Sequence, residues 1–343
     1  MCSLERCLRD SSTHRLGLGI ARDLRRFLDQ PLRNCPNSGT LQMTTKLTVG
    51  IVSRTFFNVS YWAAIERGYF SNEGIEVETI IYGNRSQVPL LLGGDLNIVI
   101  GTPEAAIENA VSGGTLRIIG GNTGKLTHSL IARGRFERVE DLRGATIGIL
   151  NMTEGTFFQI KEMLSKHGLS YPRDYRVKET GGVPPRHKAL IDGTIDAGLQ
   201  SIPWSYVAEE VGLRNLGSIV DYIPDWQFVS INTDTRWARS NRSTVVGFLR
   251  AMIRGTEWVF RNKQGAAEIA ARELPTPLKY AERAWEYYTE TNAITRDVSI
   301  SQPGLAKVID VLIAERILPE AASRDPGAYV EPDYLREARR LSQ

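Results

Sequence analysis

The 343-residue chain is 42% hydrophobic and 24% charged with a net charge of +3, a globular composition in a chain too long for one hydrophobic core and so expected to form two lobes. No stretch approaches the ~20 continuous apolar residues of a membrane span, and a charge of +3 is too small to imply a nucleic-acid or membrane-surface partner. Seven Arg against four acidic residues in positions 1–42 account for that whole excess, and the same segment holds all three cysteines, Cys2, Cys7 and Cys35, so the rest of the chain must rely on packing without disulfides.

Residues 1–42 lack the apolar core of an export signal and read as a poorly structured extension, with the biological start expected at Met43. Periodic structure begins in "MTTKLTVGIVS", a strand over Lys46–Val52 followed by the turn "SRTFFNVS". A helix whose apolar face carries Trp62 then runs to a stop at Gly68, and a second strand follows. "LLGGDLNIVIGTPEAAIENAVSGG" (Leu91–Gly114) supplies a third strand and a helix capped by Thr102 with Pro103 in its first turn. The Gly-rich stretch "GGNTGKLTHS" (Gly120–Ser129) reads as a loop beside the cleft; it lacks the spacing G-x-x-x-x-G-K-[ST] of a phosphate loop, which argues against nucleotide hydrolysis.

The same series then repeats. "ATIGILNMTEGTFFQIKEMLSKHGLSYPRDYRVKET" (Ala145–Thr180) echoes Leu47–Ile80, and "LIDGTIDAGLQSIPWSYVAEEVG" (Leu190–Gly212) echoes Leu91–Gly114. Gly50 and Gly148 mark the start of each series, Gly94 and Gly193 its middle, at an almost constant offset. Strands alternating with helices imply parallel sheets covered on both faces, one per repeat. "GGVPPRHKAL" enters a helix through two prolines; its Arg186 and His187 are candidates for the cleft, with surface positions the preferred reading. After Tyr222 come a strand and turn, "FVSINTDTRWARS", then helices expected over 242–263, 264–273, 279–289 and 303–317 that complete the first lobe. The boundaries implied are an extension over 1–42, a first lobe over 43–138 and 229–343, and a second over 139–228. The two crossings, near Phe136–Asp141 and Asp221–Phe228, form a hinge.

"YWAAIERGYFSNEGIEVE", "LLGGDLNIVIGTPEA", "FERVEDLRGATIGI", "ALIDGTIDAGLQSIPW", "VVGFLRAMIRGTEWVFRN" and the closing "EPDYLREA" come in an order that resembles the solute-binding proteins of ABC importers for nitrate, alkanesulfonates, taurine and thiamine-pyrimidine precursors. The resemblance covers about 46–335. It implies an α/β, two-lobed periplasmic-binding-protein-like fold of type II, each lobe a small, mainly parallel sheet flanked by helices, with a two-strand hinge. It further implies a small-molecule ligand, polar or anionic and of partly aromatic character, held by hinge closure and passed to an ABC-type permease. Neither a cofactor nor a metal is expected, and no nucleic-acid partner. Location in the periplasm follows from the resemblance, while the sequence shows no export signal and leaves the cytoplasm open. Asn58 stands where pyrimidine-binding relatives commonly carry a His, and the cysteine-rich motif of thiamine-pyrimidine synthases is lacking, which argues against that enzyme.

Ligands in open parallel sheets sit beyond the carboxyl ends of the strands, where turns offer free N–H groups and helix N-termini. The turns so placed make Ser53, Arg54, Thr55 and Asn58, Thr102, Thr153, Glu154, Gly155 and Thr156, and Ser201 and Trp204 the expected contacts. Asn122 and, at the second crossing, Trp226 join them. Arg54 is the expected partner of an anionic group, since a guanidinium pairs bidentately with carboxylate or sulfonate; Glu154 suits an amine or Arg54 itself. The four histidines, His14, His128, His167 and His187, are scattered without metal-ligand spacing. The competing reading is a cytosolic enzyme of the same fold acting on a small aromatic or heterocyclic acid, with His128 and Glu154 as the acid/base pair to test. A ligand-sensing transcription factor is disfavoured, because 1–42 is too short for a helix-turn-helix domain.

Overall fold

The computed structural model describes residues 44–342, and the expectations for 1–42 lie outside them. Ten strands form two sheets of five. The first sheet takes β1 (Thr45–Ile51), β2 (Ile75–Ile81), β3 (Ile98–Gly101), β4 (Leu116–Thr123) and β10 (Val229–Asp234) in the order β2-β1-β3-β10-β4. The second takes β5 (His128–Ala132), β6 (Thr146–Ile149), β7 (Arg176–Glu179), β8 (Ala197–Ser201) and β9 (Arg214–Ser218) in the order β7-β6-β8-β5-β9. Shifting each number by five, with β10 and β5 exchanged, turns one order into the other, so the sequence repeat is a structural repeat.

In each sheet the first three strands of the series run parallel, and one strand is antiparallel to both of its neighbours: β10 between β3 and β4, β5 between β8 and β9. Each antiparallel strand is the one that arrives from the opposite lobe. The first crossing therefore lies at residues 124–127, earlier than the expected Phe136–Asp141, because His128–Ala132 pairs with β8 and β9 of the second sheet. "GGNTGKLTHS" is accordingly the end of β4, the crossing and the start of β5 rather than one loop. The second crossing, 219–228, falls where the sequence placed it.

The two crossings run side by side. The Phe228 N–H donates to the Thr123 carbonyl at 3.1 Å. The buried Gln227 amide donates to the Thr123 and Val229 carbonyls at 3.2 and 2.8 Å, and its oxygen accepts from the Ser301 N–H at 2.7 Å. One side chain thus satisfies three backbone groups at the hinge, two of them buried and costly to leave unpaired.

Central strands read as nearly continuous apolar runs because helices cover both faces: Leu47, Val49, Ile51, Ile98 and Ile231 have no exposed surface. The 20-residue helix Arg242–Arg261 buries Val245, Phe248, Leu249, Met252 and Val259, a stripe at three- and four-residue spacing. It crosses the helix Val59–Glu66 at Gly255, where a methyl group would come within 2.4 Å of the Ser60 carbonyl oxygen, so the absent side chain sets how closely the two helices approach. Trp62 belongs to the core. Of the later helices, Lys263–Glu273, Leu278–Glu290 and Gln302–Ala314, the last two reach the second lobe too: Lys161 pairs with Glu315 just past Ala314, Lys279 with Glu210 at 2.6 Å, and Arg283 stacks 3.9 Å over Tyr206.

Candidate functional site

The carboxyl ends of the parallel strands in both sheets point at a small cavity of about 40 Å³, room for one or two water molecules. The lobes stand closed. The first lobe contributes Val52 and Ser53 after β1, Phe57, and Ile100, Gly101 and Thr102 from the end of β3. The second contributes His128, Leu150, Gly155 and Thr156, and the turn and helix start Gly182, Val183 and Arg186; Phe228 and Val229 come from the returning crossing. A separate open groove of about 520 Å³ runs between the lobes outside this cavity and is lined by Ser86, Glu108, Asn151, Thr153 and Glu154 among others.

Four of the expected contacts, Ser53, Thr102, Gly155 and Thr156, line the cavity. Thr102 does not cap its helix as expected. Its hydroxyl instead crosses the lobe boundary and donates to Glu154 Oε2 at 3.0 Å. Thr156 donates nothing across the cavity; its Oγ1 accepts the Leu150 N–H at 2.8 Å and tightens the turn. Thr55 and Asn58 are buried behind the first turn, where the Asn58 amide donates to the Ser53 carbonyl at 3.1 Å and shapes it. Asn122 likewise supports the site from behind, donating to the Phe57 carbonyl at 2.6 Å. Thr153 is exposed and hydrogen-bonded to Asn151. Ser201, at the end of β8 opposite His128, is fully buried and its hydroxyl has no partner. Trp204 is half-buried and packs on His187, ring centroids 5.0 Å apart.

Two expectations fail. Arg54 points away from the cavity and pairs with Glu273, its side chain 48% exposed, because an unburied guanidinium in a turn is satisfied most cheaply at the surface. Trp226 does not line this cavity: it is 1% exposed and lies at a different groove, with Phe158, Ile223 and the Lys161–Glu315 pair. The aromatic surface at the cavity comes from Phe57 and Phe228 instead, packed edge-to-face at 5.2 Å, with His128 edge-on to Phe228 at 4.8 Å.

Three residues outside the expected ligand contacts carry the electrostatics: Arg186, His128 and Glu104, of which the sequence singled out the first two in other roles. Arg186, read as a surface residue, is 1% exposed and crosses the glycines of two adjacent strands: methyl groups on Gly148 and Gly198 would lie 3.1 and 2.9 Å from its side-chain carbons. Its Nε and Nη1 donate to the Leu199 and Gly181 carbonyls at 2.8 and 3.2 Å. Burial lowers its guanidinium to about 10. His128 is held neutral, pushed down to about 3 by burial and by the charge of Arg186. Glu104, in the first turn of the helix Glu104–Val111, is 2% exposed. Burial, together with the charge of Glu154, pushes its carboxyl up to about 8, and burial brings Glu154 up to about 7. Paired glycines in strands, which mark a close approach, were the available signal for Arg186. For Glu104 there was none, since an acidic first-turn residue has an ordinary role beside the helix dipole. Glu154 bonds to Thr102 rather than to His128, and no cluster of His, Cys, Asp and Glu fit to hold a metal occurs among the described residues. No helix among them is long and apolar enough to cross a membrane.

A family model described as NMT1/THI5 like matches residues 58–266. The periplasmic nitrate-binding protein NrtA from Synechocystis PCC 6803 superposes with a TM-score of 0.75 at 12% identity, over 87% of this chain and 89% of that one. The alkanesulfonate-binding protein SsuA from Xanthomonas axonopodis pv. citri, bound to MOPS, superposes at 0.66 with 16% identity, over 84% of this chain and 98% of that one. YtlA of Bacillus subtilis (strain 168) is 24% identical over 244 residues, 68% of this chain and 71% of that protein. The structural likenesses show the fold.

Proposed function

The chain belongs to the NMT1/THI5-like family, and we propose that it is a non-catalytic binding protein that holds one small polar solute between its lobes by hinge closure and delivers it to an ABC-type permease. The observation that carries this reading is the convergence of strand-end turns from both lobes on a single cavity beside two adjacent crossings. Relatives of the same fold that are named for nitrate and alkanesulfonate binding support it, as does the bond from Thr102 to Glu154, which exists only when the lobes meet. A cavity of about 40 Å³ holds no more than one or two water molecules, so the lobes must part to take up a larger solute. The enzyme reading would need an acid/base pair in reach of the solute. His128, neutral and packed on Phe228, does not provide one with Glu154.

Gly182 gives the test. A methyl group there would lie 2.6 Å from Ser53 Oγ of the opposite lobe, and its backbone, at φ −64 and ψ −172, accepts any side chain. Gly182→Leu should wedge the lobes apart while leaving both cores intact. In thermal unfolding against sulfonates, nitrate, aromatic carboxylates, pyrimidines and amines, a solute at a hundred times its Kd should stabilise the native chain by ~2.7 kcal/mol, a shift of several degrees. The Gly182→Leu variant should unfold near the native temperature without solute and show no such shift. Equal stabilisation of both proteins would place the solute outside the cleft.

A further inference from the structure

Where the lobes meet, Glu104 and Glu154 bring two buried carboxylates together from opposite sides, and neither forms an ion pair among the described residues. Both oxygens of Glu104 lack a hydrogen-bond partner. Other unpartnered groups converge on the same spot. Gln159, fully buried, has neither amide atom bonded, and a methyl group on Gly155 would stand 2.9 Å from both its Nε2 and Glu104 Oε1. The hydroxyl of Tyr82, also buried and unbonded, lies over Gly101 and close enough to both carboxylates for their charges to raise its pKa. Buried polar groups are ordinarily hydrogen-bonded, and a cluster of exceptions calls for a missing partner. Arg186, the one buried Lys or Arg among the described residues, lines the cavity and already donates to two carbonyls. The groups left without a counter-charge at the lobe boundary are therefore the two carboxyls, which turn negative on ionising.

We propose that Glu104 and Glu154 form the recognition site for a cationic N–H group of the bound solute, an ammonium or an amidinium, with Gln159 and Tyr82 completing its hydrogen bonds. The proposal rests on the reading of the chain as a cleft-binding protein and replaces the anionic ligand expected from Arg54, which lies elsewhere. A cation there would be gripped by one carboxylate from each lobe, so that binding and closure are one event, and charge-assisted bonds in a dry site are the strong ones. The apolar surfaces of Phe57, Ile100, Leu150 and Phe228 next to it suit an unsaturated or hydrocarbon body attached to that group.

The test uses the full chain in thermal unfolding and titration calorimetry. The cations are methylammonium, benzylammonium and benzamidinium; the anions are benzoate, benzenesulfonate and nitrate, all at matched ionic strength. At least one cation should raise the melting temperature by several degrees and bind tenfold or more tightly at pH 8.5 than at pH 6, since the carboxyls, raised to about 8 and about 7, must ionise to hold it. Glu104→Gln and Glu154→Gln, both nearly isosteric and verified as folded by circular dichroism, should each weaken that cation at least tenfold. Response to anions alone, or a cation response that survives both substitutions, would overturn the proposal while leaving cleft binding intact. Response to none of the six would overturn it as well; the proposed function itself would fail only if the wider solute series also gave no difference between the native chain and Gly182→Leu.

Discussion

Arg186→Ala is expected to lower stability by about 3 kcal/mol, a drop of roughly 6 °C or more in melting temperature for a chain of this size. The substitution leaves the Leu199 and Gly181 carbonyls without their donors and opens a void over Gly148 and Gly198, where the aliphatic part of the side chain now lies. Both losses fall in the interior, where a buried polar group without its partner and an unfilled volume are each costly. Arg186→Lys should recover little, because an ammonium cannot reproduce two donors in a fixed plane. Thermal unfolding of the three proteins checks this; a loss within 1 °C for the Ala variant would show that Arg186 is dispensable to the second lobe.

Raising the pH from 5 to 8.5 should destabilise the closed protein, with a fall in melting temperature of about 5 °C. The sign follows from the carboxyls at the lobe boundary. Glu104 titrates near 8 in the closed protein and Glu154 near 7, against ~4.3 for an unfolded Glu. Between those values the unfolded chain has released protons that the folded chain still holds, so stability is fully present below about pH 4 and is lost as pH climbs through 7 and 8. The full linkage for Glu104 would be on the order of 5 kcal/mol, but opening of the lobes hydrates the pair and limits the loss to the free energy of closure. Glu104→Gln should raise the melting temperature at pH 8.5 and flatten the upper part of the profile, leaving only the part due to Glu154. A native profile that rises over this range would contradict the assignment.

Much of the architecture was legible because it is carried by local pattern. The near-constant offset between Gly50 and Gly148 and between Gly94 and Gly193 anticipated two lobes built from one repeated strand–helix series, and the two sheets share one strand order. The helix expected over 242–263 is found at Arg242–Arg261, because its apolar spacing depends on nothing distant. The first crossing was misplaced for the opposite reason: "HSLIA" is an apolar strand in either lobe, and only its long-range pairing with Ser201 and Ser218 assigns it to the second. The same division holds at the site. Turns after strands were readable, and Ser53, Thr102, Gly155 and Thr156 follow from them. The direction in which a long side chain leaves its turn is decided by packing. Arg54 turned outward to Glu273 and Arg186 inward across two glycines, and nothing in their immediate sequence distinguishes them.

The central claim is that a solute sits between the lobes and contacts both. Amide hydrogen exchange of the full chain, with and without the solute that raises its melting temperature most, tests this directly. Binding is expected to slow exchange together in residues 53–58 and 101–105 of the first lobe and in residues 154–157 and 182–186 of the second. Protection confined to one lobe, or found only on surfaces remote from the cavity, would contradict it.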